Sequence, residues 1–319
     1  MTDTDRRIRL ALAASLVVGL AVSVQSRINA DLAVRLSAGD DARTAAGFQA
    51  ALISFGTGLV VLLVMLLVVP RLRASVRTIG ASVRVGRLHS WQLVGGMFGA
   101  WLVATQCLTV PELGVAVFSI GVVAGQVFGS LWVDAAGLGP VGPMRPTLNR
   151  ALGAMLALGA VGIAVAPRVE GAAGAATGLL GLLVVSAGLG TSVQQALNAH
   201  VSVAAGYPLA ATLVNFLVGT AMLASVFGVG ALVAGWQMAP LPVVPWLYLG
   251  GPIGIAFIAM AAWVVPLLGV LRFALASICG QLAGGALLDV LFGQPGTVGW
   301  QLGAGLLLTL VAVAVANRR

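Results

Sequence analysis

Uncharged polar side chains interrupt the long apolar stretches of this chain in two corresponding sets. The first set is Gln25, Asn29, Ser54 and Gln126, and the second is Gln194, Asn198, Asn215 and Gln281. Polar groups are costly inside a bilayer, so each one marks a candidate contact for a small-molecule substrate. These carboxamides and hydroxyls form hydrogen bonds without contributing a net charge.

Two explanations of these polar residues stay open. In the first, Gln126 and Gln281 lie near the midplane and line a central cavity. The other six then form two clusters toward opposite mouths and act as gates; Gln25 and Asn29, four residues apart, share one face of a helix. In the second explanation, all eight form hydrogen bonds between packed helices, each worth under about 2 kcal/mol.

The composition places these residues in a membrane protein. The chain is 60% hydrophobic and 8% charged, with a mean hydropathy of +1.06, and a soluble globule could not cover that much apolar surface. At about 20 residues per span, we predict an all-α integral membrane protein with ten transmembrane helices. The predicted spans are 10–29, 45–69, 91–109, 113–136, 148–167, 175–197, 208–233, 244–264, 268–291 and 298–316.

The second half of the chain repeats the first. The run WQLVGG at 91–96 corresponds to WLYLGG at 246–251, and the same displacement relates Asp134 to Asp289. We predict two five-span units, 1–168 and 169–319. Because each unit has an odd number of spans, the second must be inverted in the bilayer relative to the first, as in many secondary transporters.

The basic residues predict the orientation. All of them are arginines, and they cluster before the first span, after the second, after the fourth and at the end of the chain. The positive-inside rule therefore places both termini in the cytoplasm. Nucleic-acid binding is not expected despite a pI of about 11.3, because no aromatic platform is interleaved with the arginines.

Enzyme and metal chemistry have little support in the sequence. The chain has no HExxH, GxSxG or P-loop motif, and its two histidines and two cysteines lack metal-ligand spacing. The acids Glu112, Asp134 and Asp289 fall near predicted span ends, where we expect interfacial or loop residues rather than proton carriers. We predict no catalytic residue, no metal and no cofactor.

Several runs resemble a known family. QSRINA at 25–30 and ALISFGTG at 51–58 resemble the opening of a YdcZ-like unit of the drug/metabolite transporter superfamily, and PELGVA at 111–116 resembles its later half. The resemblance covers nearly the whole chain as two fused five-span units. It implies an exporter of small molecules in the bacterial plasma (inner) membrane.

These patterns together favour a secondary transporter that works by alternating access between two inverted repeats. Its cargo is expected to be a small metabolite or a drug-like compound, and a homodimer is compatible with the sequence. Two competing functions stay open: a non-transporting membrane subunit that stabilises a partner protein, and a lipid flippase. Flux in proteoliposomes would distinguish a transporter from a subunit.

Overall fold

A computed structural model describes residues 3–37, 42–140, 142–143, 147–169, 174–292 and 299–316 of the chain. Within these residues, the regular elements are helices. The α-helices are α1 (Asp3–Leu36), α2 (Arg43–Val68), α3 (Pro70–Arg84), α4 (Gly95–Ala135), α5 (Leu148–Val169), α6 (Gly174–Ala205), α7 (Pro208–Ala234), α8 (Gly250–Leu268), α9 (Val270–Phe292) and α10 (Trp300–Ala316). Short 3-10 helices, Ser90–Val94 and Pro245–Tyr248, precede α4 and α8.

Six helical stretches are long and apolar enough to cross a bilayer, judged by length and composition. They are Leu10–Leu36, Arg43–Val68, Ser90–Ala135, Gly178–Ala205, Pro208–Ala234 and Pro245–Leu268. Shorter apolar stretches lie in the remaining long helices, at Ala151–Ala160, Ser277–Phe292 and Gly303–Ala312. The prediction of an all-helical membrane protein is therefore confirmed at the level of helix content and several membrane-length helices.

Helix α4 contains a reversal of chain direction at Gly114. This residue has φ 78° and ψ 163°, a backbone conformation that only glycine adopts readily, and Pro111 lies one turn earlier without an amide donor. Gly269 has the same conformation, φ 82° and ψ 165°, between α8 and α9. The predicted third and fourth spans thus form the two arms of a hairpin joined at Gly114, and α8 and α9 form the corresponding hairpin.

Contacts with α6 establish the reversal. Helix α6 runs antiparallel to the first arm of α4, because its residue numbers fall as those of the arm rise, and it runs parallel to the second arm. The neighbouring pairs are Gly95 with Asn198 and Gly99 with Gln194 in the first arm, and Gly121 with Val184 and Gly129 with Ser192 in the second.

Helix α1 packs in the same way against the hairpin of α8 and α9. It is antiparallel to α8 and parallel to α9, as shown by the pairs Gly250 with Asn29, Gly254 with Gln25, Gly280 with Leu16 and Gly284 with Leu20. Each half of the chain therefore places its first helix against the hairpin of the other half. Corresponding hydrogen bonds accompany both contacts, from Ser23 Oγ to the Gln281 carbonyl at 2.7 Å and from Ser192 Oγ to the Gln126 carbonyl at 3.0 Å.

Helices α2 and α7 meet each other directly. The rings of Phe55 and Phe216 lie 4.9 Å apart between centroids. Phe216 also covers Gly58 and Phe55 covers Gly219, so the two helices cross antiparallel. Residues 55 and 58 of α2 correspond in sequence to 216 and 219 of α7, and the contact is therefore reciprocal between the halves.

The acidic residues differ from the expectation of interfacial positions. Asp289 is 5% exposed, and its carboxylate accepts the backbone N–H groups of Val115 and Ala116 at 2.9 and 2.8 Å. It thereby caps the second arm of α4, where the helix dipole favours a negative charge. The corresponding Asp134 is also buried. Glu112 alone matches the expectation, because it is half exposed and pairs with Arg43.

Helix α3 is a further difference, since the predicted spans leave residues 70–90 in a loop. Its buried residues, Leu72, Ser75, Ile79 and Ser82, recur every three or four positions and pack against α6 and α7. This spacing is typical of an amphipathic helix lying on a protein or membrane surface. With 15 residues and four arginines, α3 is too short and too polar to cross a bilayer.

The close contact between α4 and α6 can be tested with Gly125→Ala. The added methyl group would overlap the carbonyl oxygen of Val185, so we expect the free energy of unfolding in mild detergent to fall by about 1–3 kcal/mol. Gly56→Ala in α2 is the matched control, because a Cβ built there meets nothing within 4 Å among the described residues. Equal losses for both variants would contradict the tight contact.

Candidate functional site

A small cavity lies where the two halves of the chain meet. Its lining consists of five pairs of corresponding residues together with Ser54 and Gly251. The pairs are Gln25 and Gln194, Phe55 and Phe216, Gly99 and Gly254, Leu102 and Phe257, and Val103 and Ile258. The cavity leaves about 20 Å³ for the centre of a water molecule, which is room for a single water. The cavity is therefore too small to hold a larger ligand.

Two glycines make room for the glutamine side chains in this cavity. A Cβ at Gly99 would overlap Nε2 of Gln194, and a Cβ at Gly254 would lie 2.7 Å from Nε2 of Gln25. Four-residue glycine spacing is usually explained by close packing of helix backbones. At these two positions the glycine instead faces a buried amide, so the first arm of each hairpin forms a cavity wall.

The two glutamines have different hydrogen-bond partners. Gln25 donates from Nε2 to the carbonyl of Gly250 at 2.9 Å. Gln194 donates from Nε2 to Oδ1 of Asn215 at 2.9 Å, and Asn198 donates to the same oxygen at 2.9 Å. Asn215 thus holds the polar cluster of the second half together, a role that Ser54 at the corresponding position does not share.

Asn29 belongs to a separate chain of hydrogen bonds. It donates from Nδ2 to Oε1 of Gln106 at 2.7 Å, and Gln106 donates from Nε2 to Oγ of Ser26 at 3.0 Å. Sequence reasoning missed Gln106, because its counterpart in the second half is Ala261 and the repeat therefore gave no signal. A buried glutamine within an apolar span was the only clue.

Several polar atoms around the cavity have no hydrogen-bond partner among the described residues. They include Ser54 Oγ, Gln194 Oε1, Asn29 Oδ1 and Asn215 Nδ2. A buried polar atom without a partner costs about 1–3 kcal/mol. Donors and acceptors are both left over, so the cluster can accept hydrogen bonds from a bound molecule and donate to it.

Gln126 and Gln281 lie elsewhere, although the sequence predicted them at the central cavity. Both are buried, at 3% and 2% exposure, within the α4–α6 and α1–α9 contacts. The reason is the hairpin geometry: the first arms face the other half across the cavity, while the second arms pack behind α6 and α1. Gln25 and Gln194, predicted in separate clusters toward opposite mouths, instead line the same cavity.

Comparison with known families identifies the family of this chain. The sequence matches a family described as "Putative inner membrane exporter, YdcZ" over residues 10–163 and again over residues 179–315. The chain belongs to the YdcZ family. The two matches show that it carries two fused YdcZ units, as the repeated motifs predicted. Among curated proteins, none matches this chain.

The polar cluster around Asn215 can be tested with Asn215→Ala. The change leaves the Nε2 of Gln194 and the Nδ2 of Asn198 without their shared acceptor. We therefore expect the free energy of unfolding to fall by about 2 kcal/mol or more, measured by thermal unfolding in detergent. Ser225→Ala in the same helix is the control, because Ser225 is exposed and bonds only to its own helix, at Ala221. If both variants unfold alike, Asn215 does not organise the cluster.

Proposed function

We propose that this YdcZ-family protein is a ten-span secondary transporter that exports small metabolites or drug-like compounds. Its units, 1–168 and 169–319, would be inverted repeats with both termini in the cytoplasm, and the cavity between them would be the substrate site. The observation that carries the proposal is the lining of that cavity by corresponding residues of both halves, the arrangement expected of a transporter built from inverted repeats.

The antiparallel contact between α2 and α7 supports the inversion. Phe55 meets Gly219 while Phe216 meets Gly58, so this contact has a local two-fold axis perpendicular to the two helices. Both helices are long and apolar enough to cross a bilayer. If they do, the axis lies in the membrane plane and the halves have opposite orientations.

The hairpins support ten crossings. The reversal at Gly114 lets residues 90–135 cross twice, and that at Gly269 lets α8 and α9 cross twice. At 1.5 Å per residue, the arm before Gly114 is about 29 Å long and the arm after it is about 32 Å. The 22-residue α5 and the 23-residue α9 measure about 33 and 35 Å, enough for a hydrocarbon core of about 30 Å.

The small volume of the cavity is compatible with alternating access. Room for a single water does not admit a substrate, so the cavity would have to open, toward one side of the membrane at a time, for a molecule to enter and leave. Because α1 and α6 pack closely against the hairpin of the opposite half, each would move together with that hairpin.

The lining indicates the class of substrate. Two amides, one hydroxyl, three phenyl rings and several aliphatic side chains form the wall. The described residues that line this cavity include no charged residue. An uncharged or weakly amphiphilic molecule with a few hydrogen-bonding groups fits this chemistry, because a fully charged one would lose its hydration without a compensating partner.

The test is flux through purified protein in proteoliposomes. A panel of metabolites and drugs would first be screened for the compound that most raises the melting temperature of the protein. That compound, in radiolabelled form, would then serve as the substrate. We expect Gln25→Leu and Gln194→Leu each to reduce flux tenfold or more, because each removes a hydrogen-bonding group worth about 1.5 kcal/mol or more to a buried polar ligand.

Gln126→Leu and Gln281→Leu are the matched controls, since they make the same change at buried glutamines outside the cavity. These variants should retain most of the flux. Loss of flux only in the control variants would move the site to the second arms. An absence of flux with the wild-type protein, together with co-purification of a partner, would favour the non-transporting subunit. Lipid translocation without release of soluble compounds would favour the flippase.

A further inference from the structure

A second cavity, separate from the transport site, lies as an open groove between α3 and α6. It encloses about 350 Å³, and its lining includes Thr78, Ser82, Arg87, His200 and Val203. The Nε2–H of His200 donates to the carbonyl of Leu138 at 3.0 Å, which fixes the ring within the groove. The groove thus combines two hydroxyls and a guanidinium from α3 and the segment after it with an imidazole and an exposed aliphatic side chain from α6.

The surroundings of the groove are strongly basic. The segment from Pro70 to Ser90 contains five arginines and no acidic residue. Arg71 lies over the ring of Tyr207, 4.8 Å from its centroid, and Arg73 donates to the carbonyl of Leu67 at 3.0 Å. A groove bordered by positive charge and lined by hydroxyl groups suits an oxyanion.

The position of α3 along the chain places the groove at the depth of lipid headgroups. Leu67 and Val68, the last residues of the membrane-length helix α2, are 71% and 68% exposed, and α3 starts at Pro70. Exposed apolar residues at the end of such a helix face lipid, whereas arginines immediately after it lie at the polar boundary. Val203, 59% exposed in the groove wall, offers an apolar surface beside the basic groups.

The second half of the chain has no counterpart to this groove. The corresponding segment, residues 235–244, contains no charged residue and no helix. Its backbone is held by Gln49, which bonds both the N–H and the carbonyl of Ala239, and its Trp236 stacks on Phe48. The two halves therefore contribute corresponding residues to the cavity, but only the first half has a basic segment at this position. The basic groove is thus not part of the reciprocal contact between the halves.

We propose that this groove binds the phosphate of an anionic phospholipid headgroup. The guanidinium of Arg87 and the hydroxyl of Ser82 would receive the phosphate oxygens, because the Thr78 hydroxyl and the His200 Nε2–H already donate to the carbonyls of Ala74 and Leu138. Val203 would meet the start of the acyl chains. Charge-assisted hydrogen bonds of this kind are stronger than neutral ones, and basic residues at a membrane surface attract anionic lipid. A lipid held there would join α3 to α6.

The test is native mass spectrometry of the full chain released from neutral detergent, with phosphatidylglycerol or phosphatidylcholine added. The wild-type protein should retain phosphatidylglycerol preferentially. Arg87→Gln should weaken its binding by about fivefold, leaving phosphatidylcholine binding and the melting temperature in neutral detergent unchanged. Arg87→Lys, which keeps the charge, should retain most of the preference. Arg35→Gln, which removes an exposed arginine of α1, is the matched control and should behave as wild type.

Three results would overturn the proposal. Unchanged phosphatidylglycerol binding in Arg87→Gln would show that the groove does not hold the lipid. An equal loss in Arg35→Gln would show that overall charge, rather than this groove, retains it. Complete displacement of the lipid by millimolar sodium phosphate would assign the groove to free phosphate. If Arg87→Gln unfolds in neutral detergent, the comparison of Arg87→Lys with Arg35→Gln still separates a local site from overall charge.

Discussion

The fold depends on close backbone contact between the first helix of each half and the hairpin of the other half. At Gly125 and Gly280 a single methyl group would overlap a carbonyl oxygen of the neighbouring helix. Lipid tails are as apolar as leucine, so helices in a bilayer are drawn together by such packing and by hydrogen bonds rather than by the hydrophobic effect. Because α1 packs against the hairpin of the second half and α6 packs against the hairpin of the first half, neither half can complete its packing alone.

The same packing explains where a substrate site can form. Each first helix is surrounded by two arms, and its polar face, with Gln25 or Gln194, is turned toward the first arm and the cavity. Buried capping by Asp289 fixes the turn between the arms of α4. In alternating access, each first helix would therefore move together with the hairpin against which it packs.

The sequence predicted the membrane-protein class and the duplication because both can be recognised without any knowledge of tertiary contacts. The class follows from the composition and the length of the apolar stretches, and the duplication follows from short motifs that recur in the same order. The sequence also predicted the polar residues as a group, since each is conspicuous among apolar neighbours. It did not predict that Gln25 lines the cavity or that Gln126 lies in the α4–α6 contact. The expected depth of a residue in the bilayer does not reveal which neighbouring helix its side chain faces. Helix α3 and the capping role of Asp289 depend on tertiary contacts, which local periodicity does not encode.

The inverted arrangement of the halves is tested most directly by accessibility from the two sides of the membrane. Single cysteines would replace Arg87, in the segment between α3 and α4, and Pro240, in the segment between α7 and α8. The chain would also carry Cys107→Ser and Cys279→Ser. A membrane-impermeant maleimide is predicted to label the cysteine at position 240 in intact cells and the cysteine at position 87 only after the membrane is opened. Labelling of both cysteines in intact cells, or of both only after lysis, would contradict the account.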